Sequence, residues 1–257
     1  MIMDAHRDFA ERFEQPLVQF WPKHANGSDS ERGLKVGFVS ADFREHAVAH
    51  FFEPTIKMLC GLPSYTFYAY HNLAHEDDIT RGIKRHFAHW VPVSNLTDEQ
   101  LSAKVIEDGI DILIDLSGHS AGNRLLAFAR KPAPVQVSWM GYPGTTGLQS
   151  MDYFMGPGFA LPAGECDDQF SEKVVGLPFT VSYLPAIEYP AVNTLPALAN
   201  GYITFGSFFR PSKINRAVIA VWSELLRAIP SAKLVMGGML GDLDDNYFTN
   251  WFAEEAI

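Results

Sequence analysis

Three short runs constrain this chain more than anything else in it. LKVGFVSADF (34–43) and DILIDLSG (111–118) carry apolar residues at consecutive rather than strictly alternating positions, and with VQVSWMG (135–141) each run ends in small or polar residues. A strand apolar on both faces is buried on both faces, as in a parallel sheet covered by helices on either side. The segments between them fit. HAVAHFFEPTIKML (46–59) has helical spacing, and YTFYAYHN (65–72) reads as another strand. TDEQLSAKVIEDGI (97–110) reads as a helix opened by a capping box from Thr97 to Gln100. This alternation predicts an α/β, doubly wound sheet. Ligands bind such sheets at the carboxyl ends of the strands, here Ser40-Ala41-Asp42, Ser117-Gly118-His119 and Gly141-Tyr142-Pro143-Gly144.

On either side of this pattern the chain changes character. Residues 4–20 carry Phe9, Phe13, Leu17 and Val18 at near-helical spacing, which predicts an amphipathic helix, and Trp21 to Gly33 is a polar, turn-rich linker. From about 157 to 200 there are many Pro and Gly residues and little periodicity, so this stretch reads as a connection. The pattern then restarts, with YITFGSF (202–208) as strand, NRAVIAVWSELLRAI (215–229) as helix, AKLVMGG (232–238) as strand, and a closing loop and helix. The expected organisation is an N-terminal helix and linker at 1–32, one complete Rossmann-like lobe at 33–187, and the start of a second lobe at 188–257. Two strands do not close a sheet over their own core.

Composition removes several function classes. Apolar residues make up 47% of the 257, enough for a real core. The net charge is −10 with no Lys/Arg run, so no nucleic-acid partner is expected. Cys60 and Cys166, the only cysteines, are too few for a disulfide framework or a cysteine-based zinc site. No apolar run reaches the length of a membrane span and no secretory signal is visible, so no membrane partner and a cytoplasmic location are expected.

Several residues could carry chemistry. His46 follows the first strand, where an imidazole could donate to a phosphate or a hydroxyl; a satisfied helix-start histidine is the alternative. His50 lies one turn on, but no third ligand completes a zinc site, so no metal is expected. SGHSAGNR (117–124) gathers Ser117, His119, Ser120 and Asn123 around two glycines, either a ligand-facing loop or a polar cap for the next helix. YPGTTG (142–147) is a rigid turn or a substrate-lining loop. Neither GxGxxG nor a P-loop occurs. Lys213 precedes a predicted helix N-terminus, where a cation adds to the anion preference of the free N–H groups. Asp242-Leu243-Asp244 lies in an acidic terminal segment and reads as solvated surface.

Read together, LKVGFVSADFREHAVAHFFEP, DILIDLSGHSAGNRLLAFARKPAPVQVSWMGYPGTTGLQSMDYFMGP, FSEKVVGLPFTVSYLP and GYITFGSFFRPSKINRAVIAVWSELLRAIPSAKLVM resemble the catalytic region of the protein O-GlcNAc transferases, the SPINDLY/O-linked N-acetylglucosaminyltransferase group in its bacterial form. The resemblance covers the chain end to end, and KPAPVQVSWMGYPGTTG is its most specific stretch. It implies two Rossmann-like lobes of GT-B type, with helix 4–20 as the stub of preceding tetratricopeptide repeats. It implies transfer of N-acetylglucosamine from UDP-GlcNAc, the donor substrate, to Ser or Thr hydroxyls of acceptor proteins, with inversion and without metal or further cofactor. By motif, His46 falls on the active-site histidine and Lys213 on the lysine that neutralises the departing pyrophosphate. Ser117, His119 and Ser120 fall on the loop facing sugar and acceptor. Arg210 stands where the family usually has Asn or Gln, able to reach phosphate as a substrate-binding residue. The family's uridine- and ribose-binding elements lie beyond Ile257, so the expectation is a fragment that binds no UDP measurably by itself. The alternatives are a protein O-fucosyl- or glucosyltransferase using another nucleotide sugar, and an inactive fragment serving as a protein-binding module.

Overall fold

The computed structural model describes residues 2–27, 29, 31–162, 164–178, 191–237 and 246–257. The chain opens with α1 (Ile2–Phe13) and a 3-10 turn (Gln15–Phe20). The expected single helix over 4–20 is therefore broken. Pro16 lacks the N–H that an uninterrupted helix needs and begins the tighter turn. Then come β1 (Leu34–Ser40), α2 (Ala47–Leu59), β2 (Tyr65–His71), α3 (Asp78–Lys84), β3 (His89–Pro92), α4 (Asp98–Asp108), β4 (Ile112–Asp115), α5 (Leu125–Phe128), β5 (Val135–Trp139), β6 (Tyr153–Pro157) and β7 (Lys173–Leu177).

These seven strands form one sheet in the order β3-β2-β1-β4-β5-β6-β7, parallel throughout. β7 corrects the sequence reading, which had placed residues 157–200 in a connection, and β6, just before that stretch, had not been read as a strand. Both strands are five residues long and mostly half-buried near one edge of the sheet, so neither shows the apolar run that marked β1 and β4. α3 and β3 had not been read from the sequence either; an Asp77–Thr80 capping box opens α3.

The consecutive apolar residues are explained by two cores. Val36 and Phe38 of β1 meet Val48, Phe52 and Ile56 of α2 and Ile83 of α3 on one face. Val39, with Tyr68, Tyr70 and Leu113, meets Leu101 and Val105 of α4, Phe128 of α5 and Ala10 of α1 on the other. Removing a fully buried ring such as Phe52 would cost about 3–5 kcal/mol. Thr97 caps α4 with Gln100 as expected, and Gly109 ends it in the left-handed conformation.

The linker is tied down, not loose. Trp21 Nε1 donates to the Ala129 carbonyl at 2.9 Å. Asn26 Nδ2 and Arg32 Nη1 donate to the two Asp111 oxygens at 2.6 and 2.9 Å, and the Lys35 N–H adds a third bond at 2.8 Å.

Residues 1–188 and 189–257 form two compact units. In the second, α6 (Pro196–Asn200) precedes β8 (Thr204–Ser207), α7 (Arg216–Ala228), β9 (Lys233–Met236) and α8 (Asn246–Glu254). β8 and β9 pair in parallel, with Thr204 opposite Lys233. Ile214, Ile219 and Phe248 form its small core. Asp242-Leu243-Asp244 lies outside the described residues.

Candidate functional site

The strand order runs outward from β1 in one direction and from β4 in the other. The gap between their carboxyl ends is thus the topological switch point, where open α/β sheets bind ligands. The loops leaving β1, β4 and β5 border it.

At the exit of β1, the Asp42 N–H donates to Ser40 Oγ at 2.9 Å and turns the chain. His46 is the N-cap of α2 rather than part of it: its extended backbone (φ −156°, ψ 151°) lets Nδ1 accept from the Val48 N–H at 3.2 Å. An Nδ1 that accepts leaves Nε2 carrying the proton of the neutral ring. The ring is partly exposed, and Asp42 Oδ2 lies 3.7 Å from Nδ1, too far for a hydrogen bond. The two readings of His46, helix cap and ligand-facing imidazole, are compatible, because capping uses one nitrogen only. His50 instead pairs with Glu45 at 2.7 Å.

At the exit of β4, Asp115 organises the loop. Its carboxylate accepts from the Ser117 and Gly118 N–H groups at 3.0 and 2.7 Å and from Ser138 Oγ at 3.2 Å. Burial pushes its pKa up, the three donors pull it back, and the balance stands at about 6. Ser117 is buried, and His119 and Ser120 are half-buried. His119 Nε2 donates to the Thr146 carbonyl at 2.8 Å, which ties this loop to the one leaving β5. Gly118 (φ +53°) permits the crossing, since a Cβ there would lie 2.3 Å from Tyr142 Cβ. Asn72 bridges to β1, with its N–H on the Ser40 carbonyl and its Nδ2 on the Gly122 carbonyl.

The β5 loop is held by two buried acids. Glu172 accepts from Thr145 Oγ1 at 2.6 Å, the Thr146 N–H at 2.7 Å and the Thr146 hydroxyl. Glu14 accepts from the Gln149 and Ser150 N–H groups at 2.7 and 2.8 Å. Buried Arg124 joins Asn72, the Val93 and Leu96 carbonyls and Asp98, locking the ends of β2 and β3 to α4. None of Asp115, Glu172, Glu14 or Arg124 stood out in the sequence. The signal available was the acid ending DILID, one residue before the loop that it shapes.

Ser117, His119 and Ser120 therefore share one braced loop, and His46 stands at the exit of the neighbouring strand. Arg210 and Lys213 belong to the second unit. Arg210 caps the 3-10 turn Pro211–Lys213, and Lys213 lies two residues before Asn215, whose side chain caps α7 through the Val218 N–H at 3.0 Å. Both cations are exposed, and among the described residues neither forms an ion pair.

The profile of glycosyl transferase family 41 matches residues 15–183. The chain belongs to that family. It is 35% identical over 240 residues to the probable UDP-N-acetylglucosamine–peptide N-acetylglucosaminyltransferase SPINDLY of Petunia hybrida, covering 91% of this chain and 25% of the relative. To the Arabidopsis thaliana protein SEC, described by the same activity, it is 29% identical over 211 residues, 78% of this chain and 21% of the relative. A mutant form of the Thermobaculum terrenum O-GlcNAc transferase superposes on 99% of this chain and 48% of its own length, with a TM-score of 0.83 and 34% identity. The fold is thus the α/β, GT-B-type fold expected of an O-GlcNAc transferase-like member of family 41. The chain spans about a quarter of the length of these curated relatives.

Proposed function

We propose that this family 41 chain serves transfer of N-acetylglucosamine from UDP-GlcNAc to Ser or Thr hydroxyls of proteins, with inversion and without a metal. In this reading the acceptor oxygen attacks the anomeric carbon opposite the diphosphate. The bond from that carbon to the phosphate oxygen breaks, its electron pair leaves on UDP, and the acceptor proton passes to solvent or a base. His46 Nε2–H donates to a donor phosphate oxygen, and Lys213, with Arg210, neutralises the departing diphosphate beside the amino end of α7. A fixed cation in a poorly solvated cleft is most effective where charge develops during the reaction. Ser117, His119 and Ser120 line the sugar and acceptor side. The observation that supports this most is His46 itself: an imidazole held through Nδ1 at the switch point, with Nε2 left to donate.

Mass spectrometry of protein acceptors incubated with the native protein tests the donor. UDP-GlcNAc is expected to add N-acetylhexosamine to Ser or Thr. Modification by GDP-fucose alone would replace this reading with protein O-fucosylation, the other transfer that the sequence allows. A family 41 chain that modified nothing with any nucleotide sugar would be left with a binding role.

A further inference from the structure

We propose that His6, on α1 and ahead of the residues that the family profile matches, is a positioning residue that fixes the His119 imidazole and the Tyr142 side chain of the candidate site. The inference rests on reading the 117–120 loop as the sugar- and acceptor-facing loop. The two imidazoles stack with centroids 4.2 Å apart and planes within 3°. His6 Nε2 also meets Tyr142 OH at 3.2 Å. Phe9, nearly one turn along α1, sets its edge against His119 at 5.0 Å. The helix is interlocked at the backbone as well, because a Cβ at Gly147 (φ +79°) would lie 2.3 Å from the His6 carbonyl oxygen. His119 is thus held by a ring on its face, by Phe9 and Tyr142 at right angles, and by its Nε2 bond to the Thr146 carbonyl. That bond places the proton on Nε2 and leaves Nδ1 as the lone-pair nitrogen available to a substrate hydroxyl.

His6 is a costly residue for merely docking a helix. It is buried, and among the described residues its Nδ1 has no hydrogen-bond partner, a cost that an apolar side chain of similar size would avoid. Burial, and then the neighbouring His119, lowers its pKa, which favours the neutral His6 ring.

Imidazole nitrogen NMR on the 15N-labelled chain tests this without reference to activity. His119 is expected in a single Nε2–H tautomer. His6→Ala is expected to convert it to a mixture, with the two ring-nitrogen signals converging, and His6→Phe, which restores a stacked ring, is expected to recover the single tautomer. If His6→Ala does not fold, His6→Leu fills the space without a ring and carries the same expectation. A His119 tautomer unchanged in the ringless variant overturns the inference, whatever happens to stability. In the transfer assay, His6→Ala is expected to lower kcat on the order of tenfold with little change in donor KM, since small misplacements of reacting groups are expensive. His6→Phe is expected to regain most of that loss. A wild-type protein that transfers no sugar would defeat the functional reading, and the tautomer measurement would still decide the role of His6.

Discussion

Gly118 and Asp115 show how single residues set the shape of this site. Gly118 has a positive φ and no room for a Cβ beside Tyr142. Gly118→Ala is therefore expected to cost about 2–4 kcal/mol, combining backbone strain with overpacking. Urea denaturation measures this, and a loss well under about 1 kcal/mol would mean that the two loops do not interlock as described. Asp115, one strand-end away, holds the same loop by accepting from two backbone N–H groups. Its pKa of about 6 lies above the ordinary 3.8, so the folded state takes up its proton more readily than the unfolded chain. Its contribution to stability therefore declines as pH rises from about 4 to 6.

Among the elements, the best-read were those whose burial leaves a pattern. β1, β2 and β4 carry apolar residues toward both cores and β5 carries Val137 and Trp139 toward one, and these strands were visible in the sequence. β6 and β7 were missed because these five-residue strands, one at the sheet edge and one beside it, are mostly half-buried and interrupted by Gly156, Pro157 and Gly176, so they show no long apolar run. The linker was read from its composition, but its order was not. Its order comes from Asp111, a residue some eighty positions away, and no local pattern encodes that pairing. Burial pushes the Asp111 carboxyl up, but bonds from Arg32, the Lys35 N–H and Asn26 more than reverse this and hold it at about 2. With a folded pKa below the unfolded one, its contribution is present above pH 4 and is lost as pH falls through about 2. Near neutrality, Asp111→Ala is expected to cost about 2–4 kcal/mol by stranding Arg32 and two further donors, Asn26 Nδ2 and the Lys35 N–H. It is also expected to expose residues 21–33 to fast hydrogen exchange. Unchanged protection in that segment would show that Trp21 and the Asn26 bonds to the Gly109 and Ile110 carbonyls anchor it without Asp111.

At the scale of the whole molecule, stability between pH 7.5 and 5 responds to three histidines. His6, His24 and His71 all have lowered pKa values, in each case first because burial disfavours the charged ring. A depressed histidine contributes stability that is full above the unfolded value of 6.5 and declines as pH falls below it. Asp115 works in the opposite direction between about 6 and 4, one group against three. The melting temperature is accordingly expected to fall as pH is lowered from 7.5 to 5. A flat or rising profile would contradict the buried, neutral state of these rings. At this scale the restart of the α/β pattern after residue 200 was legible, as was the two-strand sheet it forms. The buried acids that brace the site loops were not, because a Glu that accepts three hydrogen bonds in the interior looks in sequence like one facing water. No described helix is long and apolar enough to cross a membrane.

His46 and Lys213 are the two residues proposed to meet the donor diphosphate, and steady-state transfer kinetics of the native protein with UDP-GlcNAc test that role most directly. His46→Ala and Lys213→Ala are each expected to lower kcat/KM by at least about 100-fold, roughly 3 kcal/mol of transition-state stabilisation, with the circular dichroism spectrum unchanged. Near-normal turnover in both variants would contradict the assignment.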